Sequence, residues 1–227
     1  MDLMHPNRAT MIRVALEVMP FERTVPIRAL DLGTGTSYFT QRFLARFPNS
    51  VVLAIDGAEA MVNVAKARLG SAAARVDFRI GDFRRLRQLT EGTSGIDVVF
   101  SSYALHHLDR FDKQAVVRQA VDLLRPGGWF VNADLVCAES PELEGRLQTL
   151  RVEGIVERAG GRDARFTDAA ATRRFLDGLE INERDQPLTI GEDLEILRQC
   201  GLRSACAFWL EYREVVSGGI ARATSVV

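Results

Sequence analysis

The residues best equipped for chemistry in this 227-residue chain are acids and glycines at regular intervals in its first half, followed by two adjacent histidines. Asp31-Leu-Gly33-Thr-Gly35-Thr-Ser37 comes directly after the apolar run Ile-Arg-Ala-Leu. Glycines in a strand-to-helix turn let a ligand approach the backbone, and the unpaired N–H groups of the helix N-terminus lie behind it. A dinucleotide fingerprint would continue Gly-x-Gly-x-x-Gly. Gly33 and Gly35 fit it, but Tyr38 stands at the third position, where its bulk opposes close helix packing. Asp56 ends Val-Val-Leu-Ala-Ile-Asp roughly 20 residues after the glycines, where a carboxylate can take two ribose hydroxyls. Capping the helix that follows is its other possible task. Asp82 in Arg-Ile-Gly-Asp-Phe could accept an exocyclic amine while Phe83 lies against a base, or it could cap a loop.

These residues need a scaffold, and the hydrophobic pattern supplies one. Apolar, often β-branched runs at 27–32, 51–55, 76–80, 96–101 and 129–135 predict strands. Segments 40–47, 59–69 and 113–124 carry apolar residues three and four apart, as helices packed on a sheet do. Arg125-Pro-Gly-Gly128 stops the third helix, and a strand is expected to begin at once. The β-α-β rhythm calls for a doubly wound parallel sheet with helices on both faces, and places both acids at carboxyl ends of neighbouring strands. After Leu135 the rhythm breaks. Residues 139–186 read as a charged helical insertion or cap, and two last strand candidates meet near Tyr212-Arg-Glu214 as an antiparallel hairpin completing the sheet. The chain is expected to form one domain over 1–227 with that insertion inside it.

With 29 Lys and Arg against 30 Asp and Glu, the formal charge is −1, so no strong field recruits nucleic acid or an anionic membrane. Arg84, Arg85 and Arg87 read as a solvated face. Cys137, Cys200 and Cys206 lack metal-ligand spacing with the histidines; they predict small core residues, no metal and a reducing compartment. No apolar run approaches the roughly 20 residues of a bilayer span, and the N-terminus has no signal core, so a soluble cytoplasmic protein is expected.

Taken in order, ALDLGTGTSYFT, VVLAIDGAEAM, IGDF, IDVVFSSYALHHL and LLRPGGWFVNADL resemble the successive motifs of class I S-adenosylmethionine-dependent methyltransferases. The resemblance covers residues 28–136, and the final hairpin matches that family's seventh, antiparallel strand. It implies a seven-stranded, mostly parallel, Rossmann-like α/β fold and S-adenosylmethionine as cofactor. Asp31, Gly33 and Gly35 would hold the methionyl part, Asp56 the ribose hydroxyls, and Asp82 with Phe83 the adenine. Ser101 and Ser102 would line the floor beside the sulfonium. The tail is similar to small-molecule methyltransferases and to carboxy-S-adenosylmethionine synthases. In the synthases a helical arginine pairs with the extra carboxylate; here Ile196 takes that place, with Arg198 rotated away, which favours the ordinary cofactor.

A sulfonium methyl needs a nucleophile aligned in line with it and water excluded. For an acidic acceptor, His106 or His107 after the fourth strand could serve as general base, or be a packed or capping histidine. If the segment is helical, their side chains diverge by about 100 degrees and at most one faces the site. His106 is the chosen candidate, with Tyr103 shaping the pocket and Asp134 binding a polar group of the acceptor. The expected acceptor is a small molecule methylated at O, N or S, and a homodimer is compatible with the charged cap. The short segment before the core leaves closure of the site open. A cofactor-binding protein without methyl transfer is the first alternative, and an NAD-dependent dehydrogenase a distant one.

Overall fold

The computed structural model describes residues 3–222. Strands β1 (Arg28–Leu32), β2 (Val51–Asp56), β3 (Val76–Ile80), β4 (Ile96–Ser102), β5 (Leu124–Leu135), β6 (Leu202–Glu211) and β7 (Glu214–Ala221) form one seven-stranded sheet in the order 3-2-1-4-5-7-6. β7 runs antiparallel to both of its neighbours, and every other pairing is parallel. The strand order reverses between β1 and β4, which opens a crevice at their carboxyl ends. Leu32 pairs with both Ile55 and Ser101, so the ends of β1, β2 and β4 stand level at that crevice.

Alternate residues of each strand face opposite layers. Val98 and Phe100 of β4 pack with helices α1 (Arg8–Glu17), α2 (Tyr38–Arg46) and α3 (Glu59–Leu69). Val99 faces the short α4 (Leu86–Leu89), α5 (Arg110–Leu123) and, further along the chain, Ile190–Gln199. The first layer is aromatic: Phe39 and Phe43 of α2 bring ring centroids to 4.3 and 5.0 Å from Phe100.

The insertion consists of α6 (Pro141–Ala159) and α7 (Ala169–Glu183). Ser140 caps α6 by accepting from the Leu143 N–H with Pro141 just inside, and Asp168 caps α7 by accepting from Ala171. Val152, Ile155, Ala159, Phe166 and Leu176 bury a small core between them, and Leu3 and Met4 pack against it. The start of the described chain therefore lies against the cap. Thr189 and Glu192 then form a reciprocal capping box that starts α8 (Ile190–Gln199).

Three local expectations need correction. β5 begins at Leu124, and Arg125–Gly128 form an excursion within the strand: the register steps from Ile96↔Leu124 to Val98↔Trp129, with Gly127 at φ 77° and Arg125 paired to Asp97. Of the cysteines only Cys200 is buried; Cys137 is half-buried and Cys206 is exposed on β6. The two histidines are not splayed, as described below. Ile196 is buried in the α5–α8 layer, and Arg198 turns outward toward Glu195 at 3.7 Å. Among the described residues no helix is long and apolar enough to cross a membrane.

Candidate active site

The turn after β1 is tied from below by Asp31. Its buried carboxylate accepts from Thr34 Oγ1 at 2.7 Å and from the Thr40 hydroxyl, both on Oδ2. Burial pushes the Asp31 carboxyl up to about 7 in spite of those two hydrogen bonds. Asp31 thus braces the turn from within, and neither hydroxyl was marked by sequence spacing as its partner. Ser37, also buried, shares a 2.9 Å hydrogen bond with Thr34 and sits at φ 56°, ψ 35°, a left-handed conformation that favours glycine.

The two glycines have different reasons to be glycine. A Cβ at Gly33 (φ 70°) would fall 2.3 Å from Cβ of Ala104, because the segment after β4 closes over the turn, with Phe83 beside it. A Cβ at Gly35 would meet nothing within 4 Å, so this backbone borders open space at the crevice. Asp56 accepts the Gly35 N–H at 2.6 Å on one oxygen and the Ala58 N–H at 2.9 Å on the other. It ties β2 to the glycine turn and shapes the next loop at once. Asp82 accepts the Arg84 N–H at 2.9 Å and Arg84 Nε at 2.8 Å. With Phe83 it lines a cavity of about 230 Å³ that continues past His107 to Gln186. Tyr38 lies between the guanidinium groups of Arg8 and Arg42, 3.7 and 3.4 Å from its ring centroid. Ser101, fully buried, donates to the Leu32 carbonyl at 2.7 Å, while Ser102 is half-buried.

Beyond β4 the chain makes a 3-10 turn over Leu105–His107, and the two histidine side chains converge from it. Their rings lie 4.0 Å apart, and both address Asp185: His107 Nδ1 at 3.0 Å and His106 Nε2 at 3.5 Å from Oδ1. On its other side, His106 Nδ1 is 2.6 Å from Oδ1 of Asp134. Asp134 also accepts the N–H groups of Leu135 and His106, at 2.9 and 3.1 Å. It is fully buried behind the imidazole, where its hydrogen bonds go to His106 and the adjoining backbone instead of to open space. Burial alone would lower the His106 pKa, but the charge and hydrogen bond of Asp134, reinforced by Asp185, push it up to about 9. Asp185, although burial opposes this, is held below its usual range by hydrogen bonds from the two histidines. Gln186 completes the contact, its N–H donating to the His106 carbonyl at 2.7 Å.

Tyr103, at φ 48°, turns away from this pair. Its hydroxyl donates to Oε1 of Glu214 at 2.6 Å, and its ring lies 4.6 Å from that of His5. His5 Nδ1 is 3.6 Å from the same Glu214 oxygen. Burial pushes the Tyr103 phenol up, an effect that Glu214 adds to, and burial pushes the His5 imidazole down. His5 and Glu214 border a cavity of about 270 Å³ between the N-terminal segment, α6 and the β6–β7 turn; Leu135, next to Asp134, is part of its wall.

Comparison with known proteins finds relatives for both the sequence and the fold. Residues 29–128 match the family described as methyltransferase domain. The malonyl-[acyl-carrier protein] O-methyltransferase of Methylococcus capsulatus is 33% identical over 103 residues, 45% of this chain and 35% of that protein. An O-methyltransferase family protein from Burkholderia thailandensis superposes with a TM-score of 0.69 at 17% identity, covering 98% of this chain and 58% of that one. PigF, solved with SAH (S-adenosylhomocysteine), superposes with a TM-score of 0.61 at 16% identity, over 93% of this chain and 55% of that one. The chain spans about a fifth to just over half the length of the curated relatives it matches.

Proposed function

We propose that this chain, which belongs to the class I S-adenosylmethionine-dependent methyltransferases, transfers a methyl group to a small-molecule acceptor, with His106 as general base. The observation that carries the reading is the pairing of His106 Nδ1 with buried Asp134 at 2.6 Å beside the β1–β4 crevice. A carboxylate on Nδ1 fixes the tautomer in which Nε2 can accept a proton, and stabilises the imidazolium that results.

The residues at the strand ends fit the cofactor. Gly35 opens space for a ligand, Asp56 brings a carboxylate to that space, and Asp82 and Phe83 flank the next strand end. Bound S-adenosylmethionine would supply an electrophilic methyl group on its sulfonium. The protein's part is to orient the acceptor, exclude water beneath α6 and α7, and take the acceptor's proton at His106 Nε2. Asp185 now faces that nitrogen at 3.5 Å, so the acceptor's hydroxyl or amine must enter between them. The chain's near-neutral charge and its capped site support a small acceptor over a nucleic acid. Its three unpaired cysteines accord with a reducing, cytoplasmic setting.

Calorimetry with S-adenosylmethionine, S-adenosylhomocysteine and NAD tests the cofactor. Micromolar binding of the first two, about 8 kcal/mol, is expected. Tight NAD binding without either of them would sink the assignment. Binding without turnover would instead favour a ligand-binding role, the reading to which the carboxylate against Nε2 gives some weight.

A further inference from the structure

The cavity of about 270 Å³ beneath α6 carries three arginines, and they are not equivalent. Arg151 is held at 2.6 Å by Glu180 of α7, and Arg213 has its Nε 3.0 Å from Glu144. Arg158 has no carboxylate within 4.0 Å among the described residues: its Nε donates to the Leu3 carbonyl at 3.0 Å, and Nη1 passes over Gly154, where a Cβ would lie only 2.9 Å away. Glycine one turn back on α6 thus clears the path by which the guanidinium reaches the cavity wall. Of the acids in that wall, Glu214 is engaged by Tyr103 and His5, and Glu211 is exposed. The Nε of Arg213, buried, lies beside Glu144 at an angle that makes no hydrogen bond. Burial lowers the pKa of both Arg158 and Arg213, against the opposing charges of Glu214 and Glu157 on the first and of Glu144 on the second.

We propose that this cavity holds the methyl acceptor and that Arg158 selects acceptors bearing a carboxylate, gripped by the guanidinium fork. The inference rests on the methyl-transfer reading and adds the substrate class to it. The carboxylate is an anchor and not the methylated group, because pairing with a guanidinium withdraws charge from its oxygens and makes them poorer nucleophiles. The nucleophile is another group of the same molecule, and the cavity adjoins the end of β4 through His5 of its wall, whose ring lies 4.6 Å from that of Tyr103.

The test is calorimetric titration of the full chain, saturated with S-adenosylhomocysteine, with benzoate and malonate and with their neutral amides. The carboxylates should bind at least tenfold tighter than the amides. Arg158→Gln should abolish that preference and Arg158→Lys should retain part of it, with cofactor affinity and melting temperature unchanged in both. Equal binding of acid and amide, or a preference that survives in Arg158→Gln, overturns the proposal. Failure of S-adenosylhomocysteine to bind at all would overturn the methyltransferase reading instead; the same titration without cofactor would still decide what the cavity takes.

Discussion

Asp134 holds His106 from behind at two points, ring nitrogen and backbone N–H, with distances of 2.6 and 3.1 Å. An asparagine there would preserve shape but could donate to Nδ1, fixing the tautomer whose Nε2 bears the proton. Asp134→Asn should lower turnover by about 100-fold or more while S-adenosylhomocysteine affinity stays within about twofold. Full turnover in that variant would remove the base role. His106→Ala should show a similar loss, but His107→Ala is not a silent control, because it frees one side of Asp185.

The same cluster predicts a pH dependence. His106 titrates near 9 with Asp185 in place, above its ordinary value of 6.5. Its contribution to holding the Asp185 segment down is complete below about 6.5 and is lost as pH rises through about 9. Activity that requires neutral His106 runs the other way, so kcat/KM should climb on the alkaline side with a midpoint near 9. Asp185→Asn removes one of the two carboxylates that raise the pKa, and its profile should shift to lower pH. An unshifted profile would show that Asp185 leaves before the proton is taken.

Much of this was legible in the sequence because it is periodic or local. The strand runs, the acids at their ends and the glycine turn are read from neighbouring residues, and the sheet places them as expected. What was not legible comes from long-range contacts. His107 meets Asp185 across 78 positions, and Tyr103 meets Glu214 across 111, so no spacing rule links them. The splay expected of adjacent histidines fails although a 3-10 turn separates neighbouring side chains by about 120 degrees, because both rings swing to the one carboxylate of Asp185. Asp134 was expected to face an acceptor because it ends a strand; its burial follows from the histidine lying over it.

Asp56 joins the glycine turn to β2 and is also the proposed ribose ligand. Asp56→Ala removes the acceptor for Gly35 N–H and the charge offered to ligand hydroxyls, each charge-assisted hydrogen bond being worth about 1.5–3 kcal/mol before solvent compensates. Affinity for S-adenosylhomocysteine should fall at least tenfold in a folded variant. Unchanged affinity would leave Asp56 as only a brace for the loop.

Asp31 should make its own pH signature. Its folded-state pKa, near 7, exceeds the ordinary 3.8, so its favourable contribution is complete below about 3.8 and lost as pH rises through 7. Asparagine keeps an oxygen for Thr34 and Thr40 and has no charge to bury. Asp31→Asn should therefore gain about 1 kcal/mol or more relative to the parent between pH 4 and pH 8, read as diverging melting temperatures. Parallel curves would mean that the two threonine hydroxyls already compensate the charge.

Lys113 and Asp193 form the most deeply buried of the ion pairs between helices, Nζ to Oδ1 at 2.8 Å with side chains 3% and 5% exposed, and they join α5 to α8. Burial pushes the Asp193 carboxyl up, and Lys113 opposes that. Gln114 to Gln199 at 2.8 Å and Arg118 to the Gln199 carbonyl at 2.6 Å bind the same two helices nearer solvent. Lys113→Met leaves a carboxylate buried without its cation and should cost about 3–5 kcal/mol, whereas Lys113→Met with Asp193→Leu should recover most of it, since neither desolvated charge remains. Chemical denaturation of the two variants measures the difference. Equal losses in both would mean that α8 depends on the pair itself and not on the avoidance of a lone charge. The site should feel the single change as well: α8 follows directly on the segment that brings Asp185 and Gln186 to the histidines, so loosening α8 should lower the apparent pKa of His106 even though Lys113 touches neither.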